Sequence, residues 1–190
     1  MHRIYPVQRA RWLLSPLRKV IQSPDRLLCP YLQEGDTVID LGCGPGFFTL
    51  PMARMVGETG RVIAVDVQEE MLVMLEMVAR EKGLHPRVHL HLCRNDSPDL
   101  ADGEIASFAL AFHVLHETSD VAAVLHDLHG ALKPGGRLLI AEPILVVKRK
   151  EFAETIGAAE RAGFRSLPSP FVLMSRTALM ERGRTTRASC

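Results

Sequence analysis

VIDLGCGPGFFT, residues 38–49, and VIAVDV, residues 62–67, decide the fold of this chain of 190 residues. The first stretch begins with a short apolar run of the kind that forms a buried parallel strand. Three glycines at alternate positions follow it, and the apolar residues after them take up helical spacing. The second stretch is another apolar run, which reaches Asp66 20 residues after Gly46. The pattern predicts a strand, a glycine turn, a helix and a second strand that ends in an acid.

The glycine turn, Gly42 to Gly46, has the features of a ligand-binding loop. Glycine removes the side chain where backbone must pass close to a ligand, and a helix that begins there presents unpaired N–H groups. Such a turn suits a polar or anionic ligand group. In doubly wound nucleotide folds, an acid at the position of Asp66 accepts hydrogen bonds from ribose hydroxyls. The two stretches together predict a ligand that carries a ribose.

The spacing of the glycines distinguishes two kinds of nucleotide fold. The turn is G-x-G-x-G with Asp40 two residues before it, whereas the dinucleotide fingerprint is G-x-G-x-x-G. It resembles the first motif of the class I S-adenosylmethionine methyltransferases, D-x-G-x-G-x-G. FALAFHVLHE, residues 108–117, and LKPGGRLLIAEP, residues 132–143, are similar to that family's fourth strand and to the turn and strand that follow. The resemblance covers residues 28–179, and residues 151–164 look most like the small-metabolite and quinone methyltransferases.

Composition limits the class of protein. The length is about that of one domain, and 47% hydrophobic with 24% charged residues is ordinary for a soluble globular chain. No apolar run approaches the roughly 20 residues of a membrane span, and no secretory signal is recognisable. A net charge of +1 gives no general attraction to nucleic acid. We therefore expect a cytoplasmic protein with neither a membrane nor a nucleic acid as partner.

The cysteines indicate neither a zinc site nor a disulfide framework. Cys29, Cys43, Cys93 and Cys190 show no C-x-x-C spacing. Reduced thiols are the expected state of such a chain in the cytoplasm.

The alternation of β and α segments predicts an α/β fold, a doubly wound and mostly parallel seven-stranded sheet with helices on both faces. This is the Rossmann-like methyltransferase fold that the resemblance implies. The predicted strands are 38–41, 61–66, 88–93, 108–114, 137–143, 164–168 and 170–180, the last two antiparallel, and the predicted helices after the first strand are 47–56, 69–82, 119–132 and 150–162. Residues 1–190 form one domain, with an amino-terminal helical cap at 1–35, where Ser23 caps a second helix, and a disordered tail at 183–190.

The resemblance implies S-adenosylmethionine as cofactor and S-adenosylhomocysteine as product. The residues it places at the cofactor are Asp40, Gly42, Cys43, Gly44, Gly46, Phe47, Asp66, Val67, Gln68, Met71, Asn95 and Asp96. Asp40 would orient the glycine turn and attract the ammonium group, or it could simply cap a turn. Asp66 would accept hydrogen bonds from the ribose hydroxyls. Asp96, with Asn95 as its substitute, would meet the adenine amino group.

The fourth strand ends in a segment with two histidines, His113 and His116, where the resemblance puts the methyl acceptor. Either could act as a general base toward an oxygen, nitrogen or thiol acceptor, or could be a structural histidine of the pocket wall. H-x-x-H-E superficially resembles a metal motif, but zincin histidines lie at i and i+4 on a helix, so no metal is expected. Glu142 ends the fifth strand at the same edge of the sheet and could line the acceptor pocket.

The sequence therefore predicts an enzyme that transfers a methyl group from S-adenosylmethionine to a small-molecule acceptor by in-line displacement. Two alternatives stay open at this point. The chain could be a regulatory or scaffolding subunit that binds the cofactor and has no acceptor site of its own, or its acceptor could be an RNA or a protein. A homodimer is also compatible with the sequence.

Overall fold

The computed structural model describes residues 22–93, 98, 100 and 105–183. Three predictions lie outside the described residues: the first helix of the amino-terminal cap, the adenine contacts of Asn95 and Asp96, and the tail from residue 184. The described elements are α1 Pro24–Leu28, β1 Thr37–Leu41, α2 Thr49–Met55, β2 Arg61–Asp66, α3 Glu69–Glu81, β3 Val88–Leu92, β4 Ala106–Phe112, α4 Val121–Ala131, β5 Leu132–Pro143, α5 Arg149–Arg161, β6 Phe164–Leu167 and β7 Ser175–Arg182, with 3-10 turns at His85–Arg87 and Leu115–Glu117.

Seven strands form one sheet in the order β3-β2-β1-β4-β5-β7-β6. Strands β1 to β5 pair in parallel, whereas β7 is antiparallel to both β5 and β6. The predicted fold class is confirmed, and the last two strands are antiparallel to each other, although β7 alone runs against the direction of the other six. The strand order reverses between β1 and β4, and in open α/β sheets a ligand binds at the carboxyl ends of the strands that flank such a point.

The sheet is covered on both faces, which explains its continuous apolar strands. Val38 and Phe108 belong to the core cluster of one face, and Ile39 and Ala109 belong to the cluster of the other. All four side chains are completely buried. Because successive side chains along a strand point to opposite faces, a strand that is buried on both has to be apolar at every position.

Several predicted boundaries are confirmed closely. Strand β2 has the predicted bounds, and α1 begins at Pro24 with the Ser23 hydroxyl accepting from the Arg26 N–H at 3.5 Å. Asp120 is the residue that caps α4, through a bond from the Ala123 N–H at 2.9 Å. No helix of the part described here is long and apolar enough to cross a membrane.

Two predicted boundaries in the second half are wrong. Strand β5 starts at Leu132, not at 137, because Leu132 already pairs with Ala106 before the register shifts. Strand β7 starts at Ser175, not at 170, because a turn precedes it in which the Ser175 N–H donates to the Val172 carbonyl at 3.1 Å. Met174 in that turn has a φ of 60°, so the extended backbone is interrupted there.

Candidate active site

A cavity of about 350 Å³ opens at the carboxyl ends of β1, β2 and β4. The predicted residues that line it are Asp40, Gly42, Cys43, Gly44, Phe47, Asp66, Val67, Gln68, Met71, His113 and His116. Residues predicted for the cofactor and residues predicted for the acceptor thus share one cavity. Among the predicted residues that the structure describes, Gly46 and Glu142 do not line it, so the prediction that Glu142 lines the acceptor pocket is wrong.

Asp66 closes β2 and holds its carboxylate against the wall of this cavity, with 7% of the residue exposed. Its Oδ2 accepts from the backbone N–H of Gly44 at 2.8 Å, and its Oδ1 accepts from that of Gln68 at 3.0 Å. Burial raises the pKa of Asp66, while its backbone hydrogen bonds act in the opposite direction. A carboxylate has about four lone-pair positions, so these bonds leave room for hydroxyl donors from a ligand.

The glycine turn is fixed to β2 by its own backbone. The N–H groups of Gly42 and Cys43 both donate to the Val65 carbonyl, at 2.8 and 3.0 Å. Gly42 has a φ of 68°, and a Cβ on it would lie 2.5 Å from Val114 Cγ2. Only glycine fits this position without displacing Val114, the residue that follows His113 on the acceptor side.

Gly46 has a packing role in this structure. Its φ is 98°, and a Cβ would lie 2.5 Å from Leu75 Cδ1 of α3. The structure thus accounts for the third glycine by close contact between the turn and the helix behind it, and its contact with the cofactor stays a prediction.

Asp40 is tied to the helix that follows the turn. It is 2% exposed, and the completely buried Thr49 donates its hydroxyl to Oδ2 at 2.6 Å. Thr49 is the first residue of α2, so this bond joins the two ends of the segment that carries the glycines. Sequence reasoning did not identify Thr49, because a threonine nine residues after an acid has no recognised pattern.

Cys43 is an unreactive part of the wall. Burial, with the nearby carboxylates of Asp40 and Asp66, raises the pKa of the Cys43 thiol well above its ordinary value. The thiolate is the nucleophilic form, so the raised pKa disfavours this thiol as a nucleophile. Phe47 and Met71 are buried among core residues and also line the cavity. Their position therefore agrees with a contact to the cofactor and equally with a packing role in the core.

His113 and His116, the two residues predicted for the acceptor, have different partners. The Nε2 of His113 lies 2.8 Å from Ser175 Oγ, and its backbone N–H donates to the Ala141 carbonyl at 2.7 Å. The Nδ1 of His116 lies 2.5 Å from Glu142 Oε2. Its Nε2 lies 3.9 Å from the Oε1 of Glu117, which also lines the cavity.

The environment of His116 favours the imidazolium. The hydrogen bond to Glu142 raises the pKa of His116, the charges of Glu142 and Glu117 act in the same direction, and burial opposes them. The sequence placed Glu142 at the right edge of the sheet and gave no sign of its pairing, and Ser175 was missed altogether. Partners 26 and 62 residues away leave no local spacing signal.

No group of three histidine, cysteine or acidic side chains is placed to hold a metal ion within residues 22–93, 98, 100 and 105–183. His113 and His116 are instead engaged with Ser175 and Glu142.

Comparisons with known proteins identify the family. A family model described as a methyltransferase domain matches residues 32–164. The ubiquinone/menaquinone biosynthesis C-methyltransferase UbiE of Klebsiella pneumoniae is 34% identical over 114 residues, which are 60% of this chain and 45% of that protein. The chain thus spans a little under half the length of the curated relatives it matches.

Solved structures agree with this assignment. A SAM-dependent methyltransferase from Aquifex aeolicus superposes with a TM-score of 0.81 at 27% identity, over 94% of this chain and 98% of the other. A TehB-like SAM-dependent methyltransferase from Corynebacterium glutamicum has a TM-score of 0.71 at 16% identity, over 93% and 100%, and shows the shared fold. The predicted resemblance is confirmed: the chain belongs to the methyltransferase domain family, and its fold is that of the class I methyltransferases.

Proposed function

We propose that the chain transfers a methyl group from S-adenosylmethionine to a small-molecule acceptor by in-line displacement. The observation that carries the proposal is the single cavity that joins the Asp66 carboxylate and the glycine turn to His113 and His116. The Aquifex aeolicus structure is titled a SAM-dependent methyltransferase, and UbiE is named for a methylation in quinone biosynthesis. The first name supports the cofactor, and the second supports a small-molecule acceptor.

The residues at one end of the cavity fit the cofactor. Asp66 is held in place by backbone N–H groups and keeps lone pairs for vicinal hydroxyls of the ribose. A charged acceptor binds such hydroxyls more strongly than a neutral one does. Gly42 and Gly44 have no side chain that would fill the space beside this carboxylate. Val67, Gln68 and Met71 would flank the adenosine, and Asp40 lies near enough to the turn to attract an ammonium group. When bound, the cofactor supplies a methyl group on a strongly electrophilic sulfonium.

The other end of the cavity supports an acceptor of low molecular mass. His113, His116, Glu117 and Thr118 line the same cavity as the residues proposed for the cofactor, so an acceptor that contacts them would lie beside the cofactor. Two histidines in that place favour an enzyme over a regulatory subunit without an acceptor site. Holding both reactants in line can contribute about 7–11 kcal/mol in favourable models, so positioning is the main task of this wall. A protein or RNA acceptor, the single-domain organisation, the cytoplasmic location and a homodimer are not decided by the cavity and stay predictions.

The proposal is tested by calorimetric titration of the purified protein with S-adenosylmethionine, S-adenosylhomocysteine and NAD. We expect the first two to bind and NAD not to bind. Methyl release can then be used to screen small acceptors, phenols and quinols among them. Binding of NAD alone would overturn the proposed cofactor, and no release with any small acceptor despite cofactor binding would favour the regulatory alternative.

Asp66→Ala sharpens the cofactor assignment. Loss of the charged acceptor should weaken S-adenosylmethionine binding by about 1–3 kcal/mol, which is roughly 5- to 150-fold in Kd. The matched control is Glu58→Ala, since the Glu58 side chain is 90% exposed and pairs only at 3.7 Å with Arg87. Circular dichroism verifies folding, and Asp66→Asn removes the charge while keeping an oxygen acceptor for one of the two N–H groups, that of Gly44 or that of Gln68. Equal affinity of Asp66→Ala and wild type would remove Asp66 from the site.

A further inference from the structure

We propose that Glu142 is a positioning residue that fixes the tautomer and orientation of His116, so that His116 Nε2 takes a proton from the acceptor. The inference rests on the proposed methyl transfer and adds to it the kind of acceptor: one whose nucleophilic atom carries a weakly acidic proton, such as a phenol, a hydroquinone or a thiol.

The Glu142 carboxylate is immobilised by two bonds that use different oxygens. Glu142 is the second-last residue of β5 and lies in the interior, with 1% of the residue exposed. Its Oε1 accepts from the Leu115 N–H at 2.9 Å, and its Oε2 lies 2.5 Å from His116 Nδ1. Because the first bond comes from the backbone of the turn that carries His116, the carboxylate holds both the turn and the ring.

The chemistry of this pair determines which ring nitrogen is basic. An ionised carboxylate only accepts hydrogen bonds, so the His116 nitrogen that faces it, Nδ1, carries the proton. In the neutral ring the lone pair then belongs to Nε2. The side chain of His116 is 21% exposed and lines the cavity, and Glu117 Oε1 at 3.9 Å lies beyond hydrogen-bonding distance of Nε2.

The second histidine of the wall is less suited to this task. His113 Nε2 lies 2.8 Å from the Ser175 hydroxyl, which can donate to it or accept from it. A hydroxyl partner neither fixes the tautomer nor stabilises an imidazolium as a carboxylate does. Of the two histidines predicted as general bases, the geometry therefore points to His116.

The step itself is a proton transfer. The bond between the acceptor atom and its hydrogen breaks, the proton bonds to His116 Nε2, and the electron pair stays on the acceptor atom as the nucleophile. His116 becomes an imidazolium, and its positive charge lies against the Glu142 carboxylate at hydrogen-bonding distance. Glu142 neither gives nor takes a proton in this step; it orients the ring and stabilises its charge.

The test uses the free protein with ¹⁵N-labelled histidine, whose ring signals distinguish the two tautomers and titrate with pH. We expect neutral wild-type His116 to carry its proton on Nδ1, and the pKa of His116 to fall in Glu142→Gln. Glu117→Gln is the matched control, and the fall there should be smaller because Glu117 Oε1 is 3.9 Å from the ring. A ring protonated on Nε2, or an unchanged pKa in Glu142→Gln, would overturn the inference.

This outcome is separable from the proposed function, because tautomer and titration are measured without cofactor or acceptor. The wild-type tautomer also stands as evidence if Glu142→Gln fails to fold. Cofactor titration of Glu142→Gln completes the design: Glu142 does not line the cavity, so the affinity for S-adenosylmethionine should stay within about twofold of wild type. Absent cofactor binding in both proteins would instead count against the proposed function alone.

Discussion

The two ends of the cavity are built by different means. At the end proposed for the cofactor, the backbone N–H groups of Gly44 and Gln68 donate to the Asp66 carboxylate. At the acceptor end, His113 and His116 are held by side chains that come from other strands. A backbone cradle depends on glycine spacing and suits one ligand shape, whereas a wall of paired side chains can change with each substitution. This difference is why the cofactor is readable from the motif and the acceptor is not.

The largest expected loss of stability comes from a change at the contact between the two ends of the cavity, where Gly42 meets Val114. Gly42→Ala would place a Cβ 2.5 Å from Val114 Cγ2 in a residue with a φ of 68°. We expect a loss of about 2–5 kcal/mol in the free energy of unfolding, measured by urea denaturation, from overpacking of about 1–3 and backbone strain of about 1–2. Adding Val114→Ala should relieve part of the overpacking. We therefore expect a coupling energy of at least about 0.5 kcal/mol in the double-mutant cycle.

Gly83→Ala is the control for the strain alone. Its φ of 66° is nearly that of Gly42, yet no atom lies within 4 Å of the added Cβ. The loss there should be only about 1–2 kcal/mol. Equal losses at Gly42 and Gly83 would show that the contact with Val114 carries no energy.

A smaller loss of stability is expected when a side-chain hydrogen bond is removed at either end of the cavity, and the two ends should differ. Thr49→Val removes a completely buried hydroxyl from Asp40, and Thr118→Val removes a partly buried hydroxyl from the Leu115 carbonyl at 2.8 Å. Thr49→Val leaves a buried carboxyl oxygen of Asp40 without this donor, which costs about 1–3 kcal/mol, whereas the bond of Thr118 contributes about 0.5–1.5, so Thr49→Val should be the more destabilising of the two. The reverse order in urea denaturation would contradict the view that the Thr49 bond holds the segment that carries the glycines.

The sequence predicts the parts of the structure that depend on local pattern. Strand β2 and the turn after β1 follow from apolar runs bounded by glycines and an acid, and these bounds are close to the observed ones. The start of β5 is missed because Pro134 and Gly135 are typical helix terminators, and pairing with β4 overrides that local preference. The bond between His116 and Glu142 joins two elements that only the folded sheet brings together, so no spacing rule could reveal it.

The smallest effect is a pH dependence that belongs to the acceptor end. The pKa of His116 is raised above 6.5 by its hydrogen bond to Glu142 and by the charges of Glu142 and Glu117. The bound proton therefore stabilises the folded state fully below pH 6.5, and this contribution is lost as the pH rises through the folded pKa. His116→Asn keeps an N–H for Glu142 and does not titrate, so it isolates the effect.

We expect the difference in free energy of unfolding between wild type and His116→Asn to shrink as the pH rises above 6.5 in a series of urea titrations. A difference that stays constant with pH would report only the changed hydrogen bond to Glu142. A difference that grows with pH would mean that folding lowers the pKa of His116. Asp66 does not interfere, because it is present in both proteins and its own contribution cancels in the difference. The same proton that stabilises the folded protein has to leave His116 before the ring can act as a base. Methyl transfer to a protic acceptor should therefore rise over the pH range in which this stabilisation is lost.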